Sequence, residues 1–198
     1  MLKITLKGGD IREVQENTTV DALCREISIG LYKSACAAKV DGKVVDLRYT
    51  LNTDCTVEIL TFDSEEGKKA FWHTASHIMA QAVKRLYPEA KLAIGPATDS
   101  GFYYDFDNER PFTQEDLPKI EEEMKKIVKE SLQLELFSLP RDKALELMKD
   151  EPYKVELIND LPEDATLTFY KQGDFVDLCA GPHLPDTGRV KAFKLLSV

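Results

Sequence analysis

Histidine occurs three times in this chain of 198 residues, and each copy sits four positions from another potential ligand. His73 and His77 frame the run H-T-A-S-H, and Cys179 and His183 frame C-A-G-P-H much further along. On a helix of about 3.6 residues per turn, His73 and His77 share one face. Two imidazoles, a thiol and a third imidazole are also a ligand set for one tetrahedral zinc. An isolated pair of histidines at this spacing is as often structural as functional. A second such pair, with no histidine elsewhere, shifts the balance toward a site. Three chemistries compete. A metalloprotease of the H-E-x-x-H type needs a glutamate after the first histidine, and position 74 is Thr, so that reading fails. A Cys–His hydrolase with Cys179 as nucleophile is not excluded. Nor is a zinc-type or water-type hydrolytic pocket in which the four side chains orient a substrate and a water.

The residues before His183 add a carboxylate. The run G-D-F-V-D-L-C-A-G-P-H reads as a strand ending in a Gly-Pro turn, which lifts Cys179 and His183 to the rim of a sheet. Asp177 lies two residues before Cys179 and shares its strand face. A carboxylate there can fix imidazole tautomers or hold an amine, or it can be a plain solubilising charge. Tyr103 and Tyr104 alternate faces, so one belongs to the core and the other is free to line a pocket.

The elements that must position these groups follow from periodicity. Residues 2–7 and 11–15 read as a hairpin, and Asn17, Thr18 or Thr19 caps a helix over 20–29 with Val20, Leu23, Ile27 and Leu31 on one face. Residues 35–40, 43–46 and 56–61 supply further strands. Two strands, one helix and more strands within residues 1–62 form the pattern of a small β-grasp, ubiquitin-like domain, with Cys24, Cys36 and Cys55 as small core residues. The polar run 62–67 marks a boundary. Residues 63–198 read as a larger α+β domain. It opens with a helix over 65–86 that carries His73 and His77 among Phe71, Ala75, Ile78, Met79, Ala82, Val83 and Leu86. A strand at 90–94, a turn at Gly95 and Pro96, and an aromatic strand over 101–106 follow. Thr113 and Asp116 resemble a capping box before a helix that runs to Leu132, in which Glu121, Glu122 and Glu123 read as a solvated face. Then come a strand at 134–136, a helix at 141–149, and strands near 154–158, 166–170 and 175–178. Residues 191–198 read as strand without a stop signal, as expected of a truncation.

Bulk composition narrows the function classes. An apolar content of 43% suffices for real cores, and 31% charge argues against a membrane protein. No run approaches the roughly eighteen apolar residues of a membrane span, and the start M-L-K-I-T-L-K lacks the apolar core of a signal peptide. The four cysteines show no C-x-x-C spacing and fit free thiols in a reducing cytosol. A net charge of −9 argues for weak intrinsic affinity for nucleic acid.

Four motifs in order resemble one family across the whole chain. These are F-W-H-T-A-S-H-I-M-A at 71–80, A-I-G-P-A-T-D-S-G-F-Y-Y-D-F at 93–106, Y-K-V-E-L-I at 153–158 and D-F-V-D-L-C-A-G-P-H at 174–183. They resemble the amino-terminal region of bacterial threonyl-tRNA synthetases. Residues 1–62 look like the TGS domain, and residues 63–198 look like the editing (second additional) domain shared with alanyl-tRNA synthetases. The resemblance implies hydrolytic proofreading of serine wrongly esterified to tRNA-Thr, because losing one methyl changes binding by only about 1–3 kcal/mol and the synthetic site cannot reject serine well. It implies a cleft lined by His73, His77, Cys179 and His183, with Lys154, Tyr104 and Asp177 binding or orienting substrate and water. The threonyl branch implies no metal, whereas the alanyl relatives hold zinc at the same four positions and the bare ligand set also suits zinc. Without the resemblance, Lys154 reads as a solvated lysine at a strand edge. The implied partners are the acceptor end of tRNA-Thr with its seryl ester and the catalytic and anticodon-binding domains of the same enzyme, beyond Val198. A cytoplasmic homodimer is implied for the full-length enzyme, with no membrane. A free-standing deacylase acting in trans and a non-catalytic, zinc-stabilised interaction module are the alternatives.

Overall fold

A computed structural model describes residues 1–198. By density of contact the chain divides into two compact units. One is Met1–Trp72 with the short segment Gly181–Pro185, and the other is His73–Ala180 with Asp186–Val198.

The first unit is a β-grasp. In chain order it contains β1 (Leu2–Leu6), β2 (Ile11–Val14), β3 (Thr18–Thr19), α1 (Val20–Ile27), α2 (Ile29–Ser34), β4 (Ala35–Val40), β5 (Lys43–Val45), β6 (Thr50–Leu51) and β7 (Cys55–Thr61). Five strands order as β2-β1-β7-β4-β5, with β1 and β7 parallel and the other neighbours antiparallel. Thr19 Oγ1 accepts from Ala22 N and starts α1, whose Val20, Leu23 and Cys24 pack with Ile4, Val14, Leu47, Leu51 and Val57. The helix ends two residues earlier than its apolar spacing suggests. Ser28 is extended and caps a separate short helix, α2, so Leu31 leaves the expected stripe. Cys24 and Cys36 are buried and Cys55 only partly so; all four cysteines are free thiols. Arg48 fastens the segment 181–185, its Nη2 donating to the Leu184 carbonyl at 2.7 Å and the Pro185 carbonyl at 3.1 Å.

The second unit is α+β. α3 (Glu65–Leu86) enters it from the first unit and is followed by four two-residue strands: β8 (Lys91–Leu92), β9 (Ala97–Thr98), β10 (Gly101–Phe102) and β11 (Phe106–Asp107). Next come α4 (Leu117–Glu130), β12 (Leu134–Leu139), α5 (Arg141–Leu147), α6 (Pro152–Asp160), β13 (Leu167–Gln172) and β14 (Phe175–Leu178), with a 3₁₀ turn at Thr187–Arg189. β12, β13 and β14 form an antiparallel sheet. Phe169 and Leu167 on that sheet pack with Ala144, Met148 and Ile158 from the region of α5 and α6.

Five expectations need correction here. Residues 154–158 are helical: Pro152 opens α6, and the Glu151 carbonyl accepts from Lys154 N and Val155 N. The alternation of Y-K-V-E-L mimics a strand, but Lys154 and Ile158, four apart, share the buried face. The aromatic strand 101–106 is broken, because β10 pairs with β9 while β11 pairs with β8, and the chain crosses between the two ladders at Tyr103–Asp105. Residues 191–198 form no strand; their polar partner is the Glu121 side chain, which accepts from Leu195 N at 2.8 Å and pairs with Lys194 at 2.9 Å. That removes Glu121 from the solvated face expected of the acidic run, since it is 7% exposed. At the start of α4, Asp116 accepts from both Thr113 N and Thr113 Oγ1, but the Thr113 hydroxyl caps nothing and the helix begins at Leu117.

Candidate active site

α3 is a long helix with small residues along its buried side. Ala75, Ile78, Ala82 and Val83 are almost completely covered. That close packing sinks the histidine face rather than leaving it in solvent: His77 is buried and His73 half-buried. Their rings meet edge to face, 4.9 Å between centroids at 85°. Ser76, between them in sequence, donates from its hydroxyl to the His73 carbonyl and to the Gly95 carbonyl, both at 2.8 Å. The histidine helix is thereby tied to the turn at Gly95.

That turn holds Tyr104. A Cβ on Gly95 would lie 2.0 Å from Tyr104 Cδ2, so only glycine leaves room for the ring. Tyr104 stacks on Phe106 at 4.8 Å, and Tyr103 points outward, as the expected alternation of faces requires. The Tyr104 hydroxyl donates to Asp177 Oδ2 at 2.7 Å. Burial, with the Asp177 charge second, pushes its phenol well above the ordinary range, which keeps it a neutral donor.

Asp177, on β14, gathers groups from three other segments. Oδ1 pairs with Lys154 Nζ at 2.7 Å, and Oδ2 lies 3.5 Å from His77 Nε2 as well as accepting from Tyr104. Asp177 is 1% exposed and Lys154 is 3% exposed. Lys154 is therefore not the solvated strand-edge lysine that bare sequence suggests. It projects inward from the first turn of α6, with its ammonium 5.5 Å from the Tyr104 ring centre. His77 is depressed to about 3, by burial first and by the Lys154 charge second. Its proximity to Asp177 would act the other way, but Lys154 and Tyr104 already engage that carboxylate. At neutral pH the imidazole is uncharged.

Cys179 stays registered on the sheet just past β14: its N–H donates to the Thr168 carbonyl at 3.1 Å, and Thr168 Oγ1 donates back to its carbonyl at 2.7 Å. His183 follows the cis Gly181–Pro182 bond and is fully buried. The potential ligand atoms of His73, His77, Cys179 and His183 all lie within 4.8 Å of one another. A closed tetrahedral zinc shell, with metal bonds of about 2.0–2.3 Å, sets its donors roughly 3.5 Å apart. Donor type and number fit zinc; the spacing is somewhat wide. The neutral state of His77 suits both a metal ligand and an acceptor from water.

All seven residues singled out in the sequence thus reach a common region or its direct supports. Sequence reasoning passed over Ser76 and the amide pair behind His77. Gln172 Nε2 donates to Gln81 Oε1 at 2.9 Å and, more weakly, to the His77 carbonyl at 3.4 Å. Their only sequence signal is polarity at positions that periodicity places inside. A separate cavity of about 260 Å³ on the first sheet, lined by residues including Lys7, Lys39 and Glu58, contains none of the site residues.

Two family descriptions match parts of the chain. Residues 2–61 match the family described as the TGS domain, and residues 167–198 match the threonyl and alanyl tRNA synthetase second additional domain. The whole chain is 63% identical to part of a threonine–tRNA ligase from Acetivibrio thermocellus, covering 32% of that relative. It is equally 63% identical to one from Clostridium kluyveri, covering 31% of it. A Clostridium acetobutylicum threonine–tRNA ligase shares 61%, again with 31% covered. The chain is similar throughout to the amino-terminal part of bacterial threonine–tRNA ligases, and it spans about a third of their length.

Proposed function

We propose, from that likeness and from the site, that the chain hydrolyses the ester of serine wrongly attached to tRNA-Thr. The observation that carries the reading is the convergence of His73, His77, Cys179 and His183 to within 4.8 Å. A water held among these side chains attacks the seryl carbonyl carbon, the ester bond to the ribose oxygen breaks, and the proton of the water passes to that oxygen. Serine and free tRNA leave. The neutral His77 imidazole supplies an acceptor at pH 7. Asp177, anchored by Lys154 and Tyr104, orients the groups that bind substrate and water. Cys179 shapes the pocket and forms no acyl-enzyme. Tyr104, Lys154, Asp177 and the backbone at Gly95 and Pro96 form a wall that accepts CH₂OH and refuses the added methyl of threonine, since overpacking costs about 1–3 kcal/mol and misplaces the ester.

We read the reaction as running without a metal, as the resemblance to the threonyl branch implies. The second reading is favoured by the donor set itself: His73, His77, Cys179 and His183 would hold a zinc, which lowers the pKa of a bound water. For the longer protein we propose ligation of threonine to tRNA-Thr by domains beyond this chain, in a cytoplasmic homodimer. The partners of this chain are then those domains and the acceptor end of the tRNA, and its net charge of −9 fits weak binding when alone.

The test is deacylation. The purified chain should release serine from Ser-tRNA-Thr, spare Thr-tRNA-Thr and keep its rate in a chelator. His73→Ala should slow release by about 10²-fold or more with little change in melting temperature. A parent chain that leaves both esters intact overturns the proposal, and loss of activity in chelator selects the zinc reading.

A further inference from the structure

We propose that Glu151 is a positioning residue for this site, a role that rests on the hydrolytic reading above. Glu151 is not one of the seven residues, and its side-chain bonds go to Lys84 and Leu92. Its carboxylate nevertheless joins the elements that carry three of them. Oε1 pairs with Lys84 Nζ at 2.8 Å, on the same helix as His73 and His77. Oε2 accepts from Leu92 N at 2.7 Å, on β8, whose continuation pairs with Asp105 next to Tyr104. Its own backbone carbonyl opens α6 by accepting from Lys154 N at 3.0 Å. One residue therefore joins α3 and the strand leading to Gly95 through its carboxylate, and the first turn of the lysine helix through its backbone carbonyl.

The arrangement suits a register pin better than a surface ion pair. The Glu151 side chain is 13% exposed and that of Lys84 is 25% exposed. Lys84 also donates to the carbonyls of Pro88 and Ala90, both at 2.9 Å, so its ammonium is held by the chain before Glu151 meets it. Each carboxylate oxygen has a different donor, and no neutral side chain of the same length accepts from both. Glutamine keeps one bond and opposes a donor to a donor at the other. Alanine loses both and frees the N-cap of α6 to turn. Lys154 sits about one helical turn from that cap, so such a rotation would move its ammonium relative to Asp177.

The test has two readouts. With the parent chain, Glu151→Gln and Glu151→Ala, the hydrolysis of Ser-tRNA-Thr is measured as kcat and KM. The labelling of Lys154 by an amine-acylating reagent is followed by peptide mass spectrometry. Glu146→Gln, which breaks an exposed pair with Lys149, is the control. We expect kcat to fall by about 10-fold in Glu151→Gln and about 10²-fold in Glu151→Ala, with KM changed by less than about threefold, because small displacements of catalytic groups carry penalties of that size. Lys154 should be protected in the parent and control and labelled in both variants. Unchanged protection of Lys154 in folded Glu151→Gln, judged by its far-ultraviolet spectrum, overturns the inference. A parent chain without hydrolysis refutes the deacylase reading alone, because the labelling still decides whether Glu151 holds Lys154 in place.

Discussion

Asp116 and Asp177 are both buried carboxylates of the second unit, 2% and 1% exposed, yet they are built to opposite ends. Asp116 is met by neighbours in sequence. Arg110 donates from both terminal nitrogens, Thr113 from its backbone and hydroxyl, and Tyr87 from farther away. These donors converge on that carboxylate, and the result is a closed turn before α4. Asp177 draws Lys154, Tyr104 and His77 from three separated segments, and the imidazole among them continues into the cluster with His73, Cys179 and His183. Burial alone does not mark a functional acid. What distinguishes Asp177 is that one of its partners, His77, leads on to His73, Cys179 and His183.

The largest expected effect comes from breaking the Asp177 group. Asp177→Asn leaves Lys154 buried without its counter-charge, a change that typically costs about 3–5 kcal/mol, and it should reduce serine release to near background. Adding Lys154→Met should recover most of the lost stability, measured by urea unfolding, while hydrolysis stays lost. Recovery of both would make Asp177 a structural acid like Asp116.

A smaller effect, of the other kind, is expected from Asp116→Asn. Its carboxyl is held below the usual range, first by the Arg110 guanidinium and then by the Thr113 N–H. The folded chain therefore binds fewer protons than the unfolded chain around the ordinary carboxylate value of 3.8. The stabilisation is fully present well above that value and is lost as pH falls below it. The gap in melting temperature between parent and Asp116→Asn should be open at pH 7 and shrink as the solution is acidified from about pH 5 downward. Hydrolysis at pH 7 should be unchanged. A gap independent of pH would mean that the ionised form of Asp116 is not what stabilises the turn.

The smallest effect sharpens the comparison with a third acid. Glu121 holds only the chain's end, through Lys194 and Leu195 N. Glu121→Gln should speed amide exchange at Leu195 and leave serine release within about twofold of the parent, as for a local opening. A large loss of activity would connect this carboxylate to the site and dissolve the distinction.

The same contrast explains what the sequence made legible. α3 was readable to the residue because its apolar and small positions recur over 22 residues. The strands of the first unit were bounded by glycine and Asp-Gly turns. His73, His77, Cys179, His183 and Asp177 stood out by type and spacing. Lys154 acquired a role only through family resemblance, because Y-K-V-E-L-I alternates like a strand and that pattern outweighs the helix start that Pro152 signals. Glu121 looked solvated because a run of three acids usually is, and its partner lies over seventy residues away. Glu151 gave no signal, and Ser76 only that of a polar residue at a position periodicity places inside. Their bonds go to Leu92, Lys84 and Gly95, partners that folding alone brings near.

The first sheet has a consequence for synthesis. β7 lies between β1 and β4, so the central strand of the sheet is the last one the ribosome delivers. Until Cys55–Thr61 has emerged, the hairpin β1–β2 and the hairpin β4–β5 each present an open edge, and Val57 is missing from the core. Two half-sheets must wait for one strand, which makes closure of this unit a single late event governed by contacts distant in sequence. A nascent chain stalled before Cys55 would expose two adhesive edges at once.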